Sequence, residues 1–70
     1  TINPTDYGIL FNKGVLLHEL KKYDSALVCF DKAIQKKSNF VQAWNAKGKT
    51  LKKMGKMDEA YRCFSKANGL

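Results

Sequence analysis

The sequence predicts an all-α chain built from two copies of one helix-turn-helix unit, and three observations carry that prediction. The first is a fixed offset: Gly14 and Gly48, Ala26 and Ala60, Phe30 and Phe64, and Ala33 and Ala67 all stand 34 positions apart. Lys13/Lys47, Leu17/Leu51, Lys22/Lys56, Asp24/Asp58, Cys29/Cys63 and Lys32/Lys66 keep the same offset, which makes ten ungapped identities. A constant period of this length marks repeated supersecondary units. The second is helical spacing: Tyr23, Ala26, Leu27, Phe30, Ala33 and Ile34 fall at i, i+3, i+4, i+7, i+10 and i+11. The third is punctuation, since Gly55 and Asn68-Gly69 stand where periodic stretches stop.

The first helix is expected from Asp6, a candidate N-cap, to about Leu20. Its apolar residues Ile9, Leu10, Phe11, Val15, Leu16, Leu17 and Leu20 are too many for one stripe, so this helix expects neighbours on most sides. Lys21-Lys22 forms a short turn suited to the negative end of the helix dipole. The second helix spans about Tyr23 to Lys37, with Asp24 in its first turn and Lys36-Lys37 in its last. Ser38-Asn39 makes the loop between units, with Gln42 placed to complete a capping box on Asn39. A third helix runs from about Phe40 to Met54, its inner face formed by Trp44, Gly48, Leu51 and Met54. Gly55 ends it as a residue free to adopt positive φ. The fourth, about Met57 to Asn68, repeats the apolar face as Met57, Ala60, Tyr61, Phe64 and Ala67. Gly14 and Gly48 lie inside helices at a cost of about 1 kcal/mol each against Ala, so both imply a close helix contact. The units are thus about 7–40 and 41–70 of one small domain.

The 70 residues are 44% hydrophobic and 27% charged, ordinary for a water-soluble domain, and no apolar run approaches the roughly 18 residues of a membrane span. No basic segment followed by an apolar stretch and a cleavage site opens the chain, so the cytoplasm is the expected compartment. Cys29 and Cys63 occupy equivalent places in adjacent units. Packed helices hold such positions about 10 Å apart, beyond the roughly 7 Å Cα limit of a disulfide. Both are expected to be reduced, semi-buried thiols. Proline disqualifies Asn3-Pro4-Thr5 as a glycosylation acceptor.

Trp44, Gly48, Leu51, Ala60, Phe64 and Ala67, echoed by Gly14, Leu17, Ala26, Phe30 and Ala33, resemble the signature of the tetratricopeptide repeat, a 34-residue helix-turn-helix unit. Leu10 stands where that family has Trp, Lys13 and Lys47 replace a Leu, Leu17 and Leu51 replace a Tyr, and Ser38 replaces the closing Pro. The resemblance implies antiparallel helices stacked as a short right-handed α-solenoid, a non-enzymatic scaffold for protein partners. It also implies a concave groove lined by the first helix of each unit. By position that groove takes Gly8, Phe11, Asn12, Val15 and His18 from unit one, and Gln42, Asn45, Ala46, Lys49, Lys52 and Lys53 from unit two. An apolar shelf of Phe11 and Val15 beside an amide and ammonium strip suits a ligand with an apolar anchor followed by acidic residues. The alternative is that Phe11 and Val15 pack on a preceding unit. The basic clamp with which one branch of the family holds acidic chaperone tails would fall on Phe11, Val15 and Ala46, so that clamp is missing.

Other chemistries find little support. His18 is the lone histidine, beside Glu19, and no nucleophile, base and orienting group share a spacing, so no catalytic residues, cofactor or metal ligands are assigned. The formal charge of +7 would attract a phosphate backbone. A basic helical module for nucleic acid is therefore the runner-up reading. The charge is nearly all Lys, with Arg62 the single guanidinium, and no stacking platform is evident, which disfavours it. Phe11, Val15 and Leu16 at one end and Met57, Tyr61 and Phe64 at the other are expected to be partly exposed. The chain thus reads as a piece of a longer array or as a unit that self-associates.

Overall fold

The structure, a computed structural model, describes residues 7–69 and folds them into four helices, α1 (Tyr7–Glu19), α2 (Tyr23–Lys36), α3 (Val41–Lys53) and α4 (Met57–Asn68). Asp6 and Asn3-Pro4 lie outside the described residues. The helices run antiparallel as two stacked hairpins, a short all-α solenoid, and the Cα trace measures 38 × 29 × 12 Å. So thin a slab leaves every helix with a solvent-facing flank.

Each hairpin turns in the same way. After α1 the Lys22 N–H donates to the Leu17 carbonyl at 2.8 Å and the Lys21 N–H to that of His18 at 2.9 Å; after α3 Lys56 and Gly55 repeat this on Leu51 and Lys52 at 2.9 and 3.0 Å. This double bond pattern needs a left-handed residue between helix and exit, the role expected of Gly55. Gly55 does take φ 82°, and Lys21, 34 positions earlier, takes φ 65°. The Lys21-Lys22 turn therefore has a definite conformation that dipole matching alone did not suggest. A side chain in the left-handed region costs about 1 kcal/mol or more. Lys21→Gly is accordingly expected to raise the urea midpoint by the equivalent of about 0.5–1 kcal/mol. A lowered midpoint would show that the lysine holds this turn at no cost.

The loop between hairpins departs from expectation. Asn39 does not cap α3: the N-cap residue is Phe40, which makes no side-chain capping bond, and its carbonyl accepts the Ala43 and Trp44 N–H groups at 3.1 and 3.2 Å. Phe40 is buried, with its ring 5.3 Å from Phe11 and edge-on to Tyr7 at 5.1 Å. Burying an aromatic ring is worth about 1.5–3 kcal/mol against about 1 for a side-chain cap, so packing sets where α3 begins. The Trp44 indole N–H donates to the Ser38 carbonyl at 2.9 Å and pins the same loop.

Two apolar clusters hold the stack. Ala33, Phe40 and Ala43 gather Leu10, Phe11 and Ile34, tying α1 and α2 to α3. Leu51, Ala60 and Cys63 gather Leu27, Trp44 and Phe64, tying α2 to α3 and α4. The expected face of α2 is the buried one, with Ala26, Phe30 and Ala33 in the core. Both cysteines are free thiols, and they are buried rather than semi-buried. Burial pushes the Cys63 thiol up from its ordinary range, with Lys47 opposing. The helical glycines are contact points: a Cβ on Gly14 would lie 2.5 Å from the Phe30 ring, and one on Gly48 would lie 2.6 Å from that of Phe64. Lys47 reaches Asp31 across the hairpins at 2.6 Å.

Candidate functional site

On one face of the slab α1 and α3 run side by side, with α2 behind them, and the space between is a groove of about 350 Å³. Its floor is apolar, formed by Phe11 and Val15 from α1, Phe30 from α2 and Ala46 from α3. Residues 11 and 15 are one helical turn apart and so share a face. Phe30 reaches the floor because Gly14 leaves room for its ring. Phe11 lies 5.9 Å from Phe30 and 5.3 Å from Phe40 between ring centroids. That ring is half-buried, partly exposed as expected, but in the seam between units rather than at the end of the stack.

The walls are polar and unequal. Gln42, Asn45 and Lys49 come from α3, and His18 and Glu19 from α1. Phe11, Val15, His18, Gln42, Asn45 and Lys49 are thus brought together as the groove positions implied. Asn12 is exposed outside the lining, and Lys52 and Lys53 extend the α3 side into solvent beyond Lys49. Glu19 and Phe30 were not foreseen. The repeat offset holds the signal for Glu19, since it is the unit-one counterpart of Lys53. One wall ends in a carboxylate and the other in ammonium groups.

His18 bridges the two hairpins. Its Nδ1 lies 2.8 Å from Oγ1 of Thr50 on α3, and the Thr50 hydroxyl donates to the Ala46 carbonyl at 2.9 Å. The ring also meets Tyr23 of α2 edge-on, centroids 5.3 Å apart. Thr50 is fully buried and was not singled out from the sequence. Its hydroxyl is satisfied by a carbonyl four residues back on its own helix and by an imidazole on another.

A tetratricopeptide repeat model matches residues 8–40, in register with the first hairpin. A second matches residues 29–62, out of phase with the hairpins and covering the C-terminal half of α2, all of α3 and the first half of α4. The chain belongs to the tetratricopeptide repeat family. Among solved structures it is similar to MamA MSR-1 (C2), with TM-score 0.92 and 31% identity over 96% of this chain. It is likewise similar to MamA AMB-1 (P212121), with TM-score 0.91 and 32% identity over 97%. It spans 38% and 37% of the length of those two proteins. No curated protein matches. In repeat terms, α1 and α3 are the first helices of their units, which form the groove, and α2 and α4 are the second helices behind them. Among the described residues no helix is long and apolar enough to cross a membrane.

Proposed function

We propose that this tetratricopeptide pair is a non-enzymatic, cytoplasmic scaffold whose groove receives an extended segment of a partner protein, an apolar anchor with acidic residues on one side. The observation that carries this is the groove's asymmetry: an apolar floor of Phe11, Val15 and Phe30 is flanked by amides and Lys49 on one wall and by Glu19 on the other. An apolar side chain fills the floor, and Gln42 and Asn45 bond the ligand backbone. Its carboxylates lie along Lys49, Lys52 and Lys53, away from Glu19. A protein of formal charge +7 also draws acidic segments in from a distance. Replacing Lys49, Lys52 and Lys53 together by Glu is expected to abolish binding of an apolar-anchored acidic peptide. Helicity should persist, since exposed substitutions change stability by less than about 0.5 kcal/mol each. Retained affinity in a peptide titration would refute the groove as the acidic site. Binding of generic RNA that falls steeply with salt would favour the nucleic-acid alternative instead.

We also propose that the chain self-associates through its two outer faces, and the repeat offset supports this. Ala43 and Thr50, both 0% exposed, are the positions α3 buries in the seam; their counterparts on α1 are Ile9 and Leu16, 45% and 61% exposed. Leu27, which α2 packs against Leu51, Ala60 and Cys63, has Tyr61 as its counterpart on α4, 59% exposed. Leu20 and Met57 widen these two faces. The exposed first face is thus Ile9, Leu16 and Leu20, and not Phe11 and Val15, which turn into the groove.

A further inference from the structure

We infer that His18 is a specificity residue of the groove, held so that its Nε2 accepts a hydrogen bond from an N–H or O–H donor on the ligand beside its apolar anchor. The inference rests on the groove reading above. A threonine hydroxyl has one proton, and Thr50 gives it to the Ala46 carbonyl at 2.9 Å. The 2.8 Å contact between Thr50 Oγ1 and His18 Nδ1 must then be donated by Nδ1. In the neutral ring this assigns the proton to Nδ1 and leaves the lone pair on Nε2. Nε2 has no hydrogen-bond partner among the described residues. None of their side-chain polar atoms is buried without a partner, so Nε2 is not sealed off from solvent, and His18 lines the groove next to Val15. The ring cannot turn freely, because Tyr23 closes on it edge-on and α3 holds Nδ1. A fixed acceptor beside an apolar floor favours a ligand that pairs it and penalises one that leaves it desolvated and unpaired.

This device belongs to one unit of the pair. The counterpart of His18 in unit two is Lys52, and that of Thr50 in unit one is Leu16. The backbone repeat is kept while the acceptor and its anchor are each present once. Gln42 and Asn45 offer both donors and acceptors, and Lys49 only donors. The neutral imidazole therefore supplies what the ammonium groups opposite cannot: an acceptor without charge.

The test uses the full chain, two capped peptides, acetyl-Ser-Leu-Asp-Glu-Asp-amide and its Ala-Leu-Asp-Glu-Asp counterpart, and the variant His18→Asn. The Asn carboxamide reaches the place of Nδ1 and can still donate to Thr50, but it puts nothing at Nε2. Nitrogen-15 spectra of the wild-type ring at pH 8 are expected to show a protonated Nδ1 and a bare Nε2 that shifts when the Ser peptide is added. Replacing Ser by Ala in the peptide, or His18 by Asn in the protein, is expected to weaken binding roughly three- to tenfold. Making both changes should weaken it no further than either alone, the sign of one shared bond. A proton on Nε2, or a His18→Asn chain that still prefers the Ser peptide, overturns the inference and leaves the groove standing. Peptides that fail to perturb the backbone amides of Asn45 and Lys49 refute the groove reading, and this inference with it.

Discussion

Gly14→Ala is expected to destabilise the fold far more than Gly48→Ala, although the two glycines occupy the same place in the repeat. In an open helix the exchange would stabilise by about 1 kcal/mol, because Ala is the better helix former. Here a Cβ on Gly14 meets the Phe30 ring at 2.5 Å, and one on Gly48 meets the Phe64 ring at 2.6 Å. The clashes match; the freedom to relieve them does not. Phe30 is 1% exposed and lies against Phe11, whereas Phe64 is half-buried on the last helix. Phe64 can swing outward and Phe30 cannot. Overpacking a fixed contact costs about 1–3 kcal/mol, a large part of the roughly 3–5 kcal/mol that so small a core supplies. At about 4–8 °C per kcal/mol, Gly14→Ala should lower the melting temperature by roughly 4–24 °C, and Gly48→Ala by a few degrees at most. Leu at either position should be severe. Equal shifts for the two Ala variants would show that the ring of Phe30 is as free as that of Phe64.

Features governed by local periodicity were legible in the sequence. The single apolar face of α2 and the small residues Gly14, Ala26 and Ala33 follow from 3.6-residue spacing and the space a helix contact allows, and they are buried as expected. Lys21 could have been read as well, because its counterpart is Gly55 and equivalent places in a repeat share backbone geometry. Its lysine side chain hid the left-handed turn, since only Gly announces positive φ. The entry to α3 was misread for another reason. Asn39 carries a capping signal, but that signal competes with the burial of Phe40, and burial depends on Tyr7 and Phe11 from the other hairpin. The bond from His18 to Thr50 was beyond reach: the two residues lie 32 apart, and neither side chain announces a partner. Their meeting depends on how α1 packs beside α3, where Phe11 contacts Phe30 and Phe40, and no single helix encodes that packing. The groove positions fared better on the helices than in identity. Phe11, Val15, Gln42, Asn45 and Lys49 converge, while Lys52 and Lys53 stay outside the lining and Glu19 enters it.

Self-association is expected to follow the geometry already present in the chain, with α1 of one copy docking on α4 of another as α3 docks on α2. Such a contact is heterologous, so it leaves a face free at each end and gives species longer than dimers. Its apolar partners are Ile9, Leu16 and Leu20 on one side and Met57 and Tyr61 on the other. Burial returns about 25 cal/mol for each Å² removed from water, less the entropic cost of association, which makes a weak contact from surfaces of this size. The formal charge of +7 on each copy opposes it, and because that repulsion is screened over about 8 Å at physiological ionic strength, added salt should lengthen the assemblies. Leu16→Glu damages one face and Tyr61→Glu the other, so sedimentation equilibrium should find each variant monomeric alone. Mixed in equal amounts they should form a dimer and stop there, since the intact α4 face of the first variant meets the intact α1 face of the second and no further good pair remains. A two-fold contact through α1 would leave Tyr61→Glu dimeric by itself, and one through α4 would do the same for Leu16→Glu. A wild-type chain that stays monomeric and fully helical at high concentration and high salt would show that two units close their own core and that the exposed faces need no second copy.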